Sequence, residues 1–140
     1  MKITRTRTET MKGPKNSFTG EVYIDTGAAP SEKLPIGAAC VHFAPGARTA
    51  WHTHSHGQTI WVTEGIGLRQ REGGPVEVIR PGDLVFFEPG ENHWHGAAPT
   101  HFMTHIAMQQ ADHEGNVVSW GEHVSDEQYG QAPDLTEVSG

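Results

Sequence analysis

Several classes of protein are excluded by what this chain has little of. It carries a single cysteine, Cys40, so no internal disulfide framework can form, and a lone thiol suits a reducing compartment. Nowhere does it approach the run of about 20 apolar residues that a bilayer-spanning helix needs. Positive charge is scarce: 10 Lys and Arg face 17 Asp and Glu, a net charge of −7, which argues against a nucleic-acid partner. The only basic cluster (Lys2, Arg5, Arg7, Lys12, Lys15) is followed by no apolar run, so it does not read as a signal peptide, and a bacterial-type cytoplasm is the expected setting. No segment keeps a helical period for a dozen residues, and neither repeats nor low-complexity blocks occur. Helix is therefore expected to be minor.

What is present points to an antiparallel β domain. A chain of 140 residues suffices for one domain, which buries about two-thirds of its unfolded surface. The 17 glycines and 9 prolines act as punctuation between apolar runs. Those runs predict strands over 21–25, 37–43, 47–54, 58–64, 67–71, 76–79, 83–87, 93–97 and 101–109. Turn clusters separate them, such as Ala44-Pro45-Gly46, Arg80-Pro81-Gly82 and Glu88-Pro89-Gly90. A short helical turn is expected from Ser125 through Gln128. Regularly spaced short strands with Gly/Pro turns predict a closed or sandwiched all-β fold. The domain reads as an N-terminal arm (1–18), a barrel (19–124) and a C-terminal tail (125–140). The core-poor arm and tail are expected to pack on a partner subunit, in a homodimer or homotetramer.

Ten histidines are spread along the chain, a distribution that fits a metal site and not a tag. Three stand at alternate positions in WHTHSHGQ, residues 51–58. Side chains at i and i+2 of a strand leave the same face roughly 7 Å apart along the backbone, so His52 and His54 can converge on one ion if further ligands come from elsewhere.

Gly46, His52-Thr53-His54, Gln58 and Gly65 keep the spacing of the first cupin motif, and Pro81-Gly82-Asp83 followed by Pro89-Gly90 and His93 keeps that of the second. Together they resemble a cupin, a small jelly-roll β-barrel with a metal in its mouth. The strings PGARTAWHTH, GQTIWVTEG, RPGD, HWHGAAPT and MTHIA resemble more narrowly the bacterial cupin hydroxynitrile lyases and the small cupins associated with carboxymuconolactone decarboxylases.

The resemblance implies a divalent ion held by His52, His54, Gln58 and His93, with Mn²⁺ favoured over Fe²⁺, Zn²⁺ or Ni²⁺. It implies catalytic roles for His105 and His95, and substrate contacts at Ala39, Val41 and Gln109. The implied reaction is reversible cleavage of a cyanohydrin, such as mandelonitrile, to an aldehyde and hydrogen cyanide. Two features depart from the common pattern. Gln58 stands where cupins usually supply glutamate, which leaves the ion's double charge uncompensated and makes it a stronger Lewis acid. Ser55-His56 replaces a proline–apolar pair at the pocket entrance.

The residues agree with the resemblance. If His105 faces inward, alternation also sends Met103, Ala107 and Gln109 inward, and Phe102, Ile106 and Met108 outward. Such an interior suits a small uncharged substrate, and paired histidines beside an open metal position suit proton transfer. The plainer readings assign His56 to a loop and His42, His101, His113 and His123 to the surface or an interface. Cys40 reads as outward apolar packing, and Trp51, Trp61, Trp94 and Trp120 as sheet-packing or interface aromatics. Two other functions compete: a different metal-dependent cupin enzyme (an iron dioxygenase, isomerase or decarboxylase of small aromatic or carbonyl compounds) and a non-catalytic ligand-binding cupin. Four metal ligands argue against the second. The absence of an anionic ligand argues against iron redox chemistry.

Overall fold

The computed structural model describes residues 1–5 and 9–135; Thr6 to Thr8 of the expected arm and the last five residues of the expected tail lie outside the described residues. The strands in chain order are β1 (Met11–Lys12), β2 (Phe18–Thr19), β3 (Val22–Ala28), β4 (Ile36–Phe43), β5 (Arg48–Thr49), β6 (His52–Thr53) and β7 (Gln58–Gly65). There follow β8 (Gly67–Arg71), β9 (Glu77–Ile79), β10 (Leu84–Phe87), β11 (His93–Ala97), β12 (Met103–Gln110) and β13 (Ser119–Trp120), and one short helix, α1 (Asp126–Tyr129).

All pairings are antiparallel. A six-stranded sheet runs β1-β3-β4-β12-β7-β10, and a seven-stranded sheet runs β13-β6-β11-β5-β2, with β8 pairing β11 and β9 pairing β8. The two sheets enclose one core, the arrangement of a jelly-roll barrel, as the spacing of short strands predicts.

The nine expected strands are present with small shifts, except that 47–54 divides into β5 and β6. Between them the backbone changes partners: Ala50 N–H donates to Ser17 O (2.8 Å) and Trp51 N–H to Glu122 O (2.9 Å). Three two-residue strands, β1, β2 and β13, had no alternation pattern to announce them.

The apolar centre joins both sheets through Val22, Phe43, Ile60, Val62, Ile79, Phe87, Ala97 and Met103. Burying side chains of this size supplies most of the driving force, on the order of 1.5–3 kcal/mol each. A second cluster holds Leu68, Val76, Trp94, Val124 and Tyr129, and it ties down the chain after the barrel. Here buried Arg48 donates to Val124 O and to Asp126 Oδ1 (2.8 Å each) and lies 4.4 Å from the Tyr129 ring centroid. Ser125 caps α1 with a full capping box: its hydroxyl accepts from Gln128 N–H while the Gln128 side chain accepts from Ser125 N–H. Among the described residues no helix is long and apolar enough to cross a membrane.

Candidate active site and metal centre

Pairing register brings the histidines together. His52 on β6 lies directly opposite His93 on β11, and two residues on, β11 turns His95 the same way. From the other sheet, β12 places Gln109 opposite Gln58 on β7 and sets His105 opposite Val41 and Ala107 opposite Ala39 on β4. The alternation expected along β12 is realised in part: Met103, His105 and Ala107 are buried and Ile106 and Met108 half-buried, but Thr104 is buried as well, where the register with β7 shifts. Gly57 lets the chain approach closely just before Gln58. Its φ is +82°, and a Cβ there would stand 2.7 Å from Phe87 O, so only glycine fits without moving β10.

His52, His54, Gln58, His93, His95 and His105 are all buried, with His93 and His105 fully so. The ring nitrogens of His52, His93 and His95 lie within 4.8 Å of one another. His54 lies beside them, its ring centroid 5.1 Å from that of His52 and 5.6 Å from that of His93, although it does not belong to that close-set group.

Three imidazoles are oriented by main-chain carbonyls. His52 Nδ1–H donates to Ala50 O (2.8 Å), His54 Nδ1–H to Val117 O (2.6 Å) and His93 Nδ1–H to Glu91 O (2.8 Å). A carbonyl can only accept, so in the neutral ring each Nε2 is left as a bare lone pair, the arrangement found behind metal-binding histidines. Burial keeps these rings neutral. It pushes His52 down to about 4 and His93 to about 2, with neighbouring histidines adding to the effect. It also lowers His54.

One of those lone pairs faces another, and one faces no partner. His93 Nε2 stands 3.1 Å from Gln58 Oε1, and His54 Nε2 is buried without a hydrogen-bond partner among the described residues. Neutral His93 has no proton to place in that gap, so the contact is repulsive unless a positive centre is shared. Two ligands of one ion, each about 2.1 Å from it and about 90° apart, lie about 3 Å apart, so the His93–Gln58 contact has the length that two ligands of a divalent ion make, beside a histidine group able to hold one. The set contains no carboxylate.

His95 differs from these three because both its nitrogens have protein partners. Nε2 is 3.2 Å from Gln58 Oε1, and Nδ1 is 2.9 Å from His105 Nε2. Since Gln58 Oε1 accepts, His95 Nε2 donates and His95 Nδ1 receives the His105 Nε2–H. His105 Nδ1 is buried and unpartnered. Burial lowers both rings, His105 to about 3, with the charges of neighbouring histidines adding. Gln58 completes the network by donating from Nε2 to Gln109 Oε1 (3.2 Å).

Beside these groups opens a cavity of about 150 Å³, lined by Ala39, Val41, Ala107 and Gln109 together with Phe18, Phe43, Thr49, Val117, Val118 and Trp120. No charged Asp, Glu, Lys or Arg lines it. All the site residues expected from the sequence therefore converge on one place. Four contributors lay outside that expectation. Phe87 stacks on His93 at 3.7 Å between centroids. Trp120 lies 4.8 Å from the His52 ring. Phe18 stands behind Trp120 at 5.6 Å, and Val117 supplies the carbonyl that orients His54. Phe87 follows Asp83 in the β10 run and could have been found from it. The short strands that carry Phe18 and Trp120 show no period. His56, in the departing loop, lines a separate surface groove with Asp112 and His113.

A family model described as the cupin domain matches residues 39–105. Over 118 residues the chain is 58% identical to (R)-mandelonitrile lyase of Granulicella tundricola, covering 84% of this chain and 89% of that one. Among solved structures, a cupin-like protein from Thermotoga maritima is 34% identical with a TM-score of 0.81, covering 93% of this chain and 96% of that one. A polyketide cyclase from Streptomyces resistomycificus shares the fold at 18% identity and a TM-score of 0.66, covering 92% and 91%.

Proposed function

The chain belongs to the cupin family, and on that footing we propose that it is a metal-dependent lyase of the hydroxynitrile type, splitting an uncharged cyanohydrin such as mandelonitrile into aldehyde and hydrogen cyanide. The observation that carries the reading is the pairing of two groups side by side. One is a carboxylate-free set of bare donors, His52, His54, His93 and Gln58; the other is a hydrogen-bonded His95–His105 pair facing an uncharged cavity. The 58% identity to an (R)-mandelonitrile lyase supports it.

In this reading His52, His54, His93 and Gln58 hold the ion; Mn²⁺ is preferred on the resemblance to the manganese cupin lyases, since imidazole donors by themselves suit Fe²⁺, Zn²⁺ or Ni²⁺ as well. When bound, the ion supplies Lewis acidity that lowers the pKa of the substrate hydroxyl. His105 Nδ1, the nitrogen of the neutral His95–His105 pair that has no hydrogen-bond partner among the described residues, accepts the hydroxyl proton. The C–C bond then breaks, its electron pair leaving with cyanide while the carbonyl forms. The pair returns its proton to cyanide as hydrogen cyanide, so it ends as it began. Ala39 and Val41 leave room for the substrate's side chain, and Gln109 both steadies Gln58 and orients the nitrile. Hydrogen cyanide release from mandelonitrile by metal-loaded protein, alongside metal analysis and oxygen uptake, tests the proposal. Oxygen consumption without cyanide release would transfer the site to the dioxygenase alternative.

Self-association as a dimer or tetramer, in a cytoplasmic setting, belongs to the same proposal. Trp61, Leu84 and Phe86 lie on neighbouring strands of the six-stranded sheet and are 48%, 64% and 56% exposed, an apolar face of the kind a second copy covers. A monomer by light scattering at micromolar concentration removes this part.

A further inference from the structure

The segment 117–122 crosses the cavity as a strap anchored to the residues that hold the ion. Val117 O accepts from His54, Ser119 and Trp120 pair with Thr53 and His52, and Gly121 N–H donates to Trp51 O at 2.7 Å. Trp120 is thereby fixed over the cavity edge. Its ring is tilted 40° against His52, and Phe18 supports it from the side. It is nevertheless 42% exposed, so part of this large ring faces away from the protein.

The cavity is the size that takes one six-membered ring: a buried apolar space of about 150 Å³ binds benzene. Its aliphatic walls, Ala39, Val41 and Ala107, offer volume but no directional preference. A tethered indole beside the ion-holding His52 offers a flat face, and aromatic pairs prefer tilted or offset contact.

We propose that Trp120, backed by Phe18, is the specificity-determining wall of the pocket, receiving the aryl ring of the substrate and favouring aromatic over aliphatic cyanohydrins. The proposal rests on the lyase reading for its substrate, though the wall itself is testable without turnover. Ring contact exists in ground and transition states alike, so its loss raises KM and leaves kcat in place.

The test compares metal-loaded wild type, W120F and W120A, with benzaldehyde and acetone as ligands in calorimetric or NMR titrations and metal content measured throughout. W120A weakens benzaldehyde binding about 3- to 10-fold, leaves acetone binding and metal content unchanged, and W120F restores benzaldehyde affinity to within about twofold. With turnover, the ratio of kcat/KM for mandelonitrile over acetone cyanohydrin falls by the same factor, through KM. Equal benzaldehyde affinity in W120A and wild type overturns the proposal. So does loss of metal from W120A with normal affinity on reloading, since Trp120 then acts only by steadying His52. W120L, which keeps apolar volume without a ring face, replaces W120A should that variant fail to fold. Absence of cyanide release from wild type defeats the lyase reading alone, and the benzaldehyde titration still decides the wall.

Discussion

Around the cavity mouth the seven-stranded sheet brings the imidazoles of His52, His93 and His95, whereas the six-stranded sheet brings Gln58, Gln109 and His105. The two sets are held differently. The first two imidazoles, and His54 beside them, are fixed by main-chain carbonyls at Ala50, Glu91 and Val117. Gln58, Gln109 and His105 are held by other side chains, Gln58 against Gln109 and His105 against His95. A donor fixed by backbone stays aimed when neighbouring side chains change, so the imidazole part of the proposed grip on an ion belongs to the fold. Groups fixed only by side chains can be retuned by single substitutions, so the reactivity belongs to the local sequence.

The largest expected effect falls on the first set. His52→Ala or His93→Ala removes a donor that nothing else can replace, and metal content by elemental analysis should fall from about one ion per chain to background, with turnover. Retention of full metal by either variant would show that the ion is held elsewhere.

His105→Ala tests the second set. It leaves the main-chain-oriented imidazoles untouched, so metal content stays at the parent level. His95 Nδ1 loses the donor it has among the described residues, and turnover of mandelonitrile should drop by about 10²–10⁴-fold, the usual worth of positioned proton transfer. Because burial lowers both rings, the acid limb of the parent pH–rate profile lies below the ordinary histidine value of 6.5, and the variant shifts it. Parent-level cyanide release from the variant refutes the proton-transfer role of His105.

Acid stability joins the two sets again. In metal-free protein the folded-state values of His52, His93 and His105 lie near 4, 2 and 3, against 6.5 for the unfolded chain. Below about pH 6.5 the unfolded state therefore binds more protons than the folded state, and stability falls as pH falls. Thermal unfolding of chelator-treated protein should show Tm declining from about pH 6.5 towards pH 4, a decline that bound metal opposes. A flat Tm over that interval would mean that the cage is not buried and neutral.

Of the proposed ligands Gln58 alone comes from the six-stranded sheet, so Gln58→Glu changes charge without changing the imidazoles. The carboxylate should bind metal at least as tightly, with Gln109 turning its amide to donate across the gap. The ion's net charge falls, and turnover should decrease roughly tenfold. Equal or higher turnover would sink the argument that an uncompensated ion matters.

The sequence made the first set easier to read than the strap that closes over it. His52, His54 and Gln58 lie within seven residues, and motif spacing finds them because a β-turn between short strands leaves little freedom. His93 follows from the second motif for the same reason. His105, Ala107 and Gln109 were legible through alternation, although buried Thr104 departs from it where the register with β7 shifts. Trp120 and Phe18 were not. Each sits in a two-residue strand whose position depends on pairing with a distant segment, β13 with β6 and β2 with β5. Local pattern carries no trace of such pairings. The division of 47–54 was hidden in the same way, because the break at Ala50 and Trp51 is made by Ser17 and Glu122 from outside the run.

The smallest effect lies one residue from the pocket. On β4, Val41 faces the cavity while His42 faces outward, bonding Asp25 Oδ2 at 3.0 Å and Thr104 Oγ1 at 3.2 Å. The His42 side chain is 43% exposed and that of Asp25 24%, so water screens the pair and its worth is on the order of 0.2–1 kcal/mol. His42→Asn keeps a polar group of similar reach towards Thr104 and removes the imidazole. Urea unfolding should show a loss no larger than that range with an unchanged m value, while metal content and mandelonitrile turnover stay within twofold of the parent. A tenfold loss of turnover at parental metal content would mean that the outer face of this sheet speaks to the cavity through Thr104 and its neighbour His105, and the separation between a main-chain-held grip and a side-chain-tuned chemistry would have to extend through the sheet.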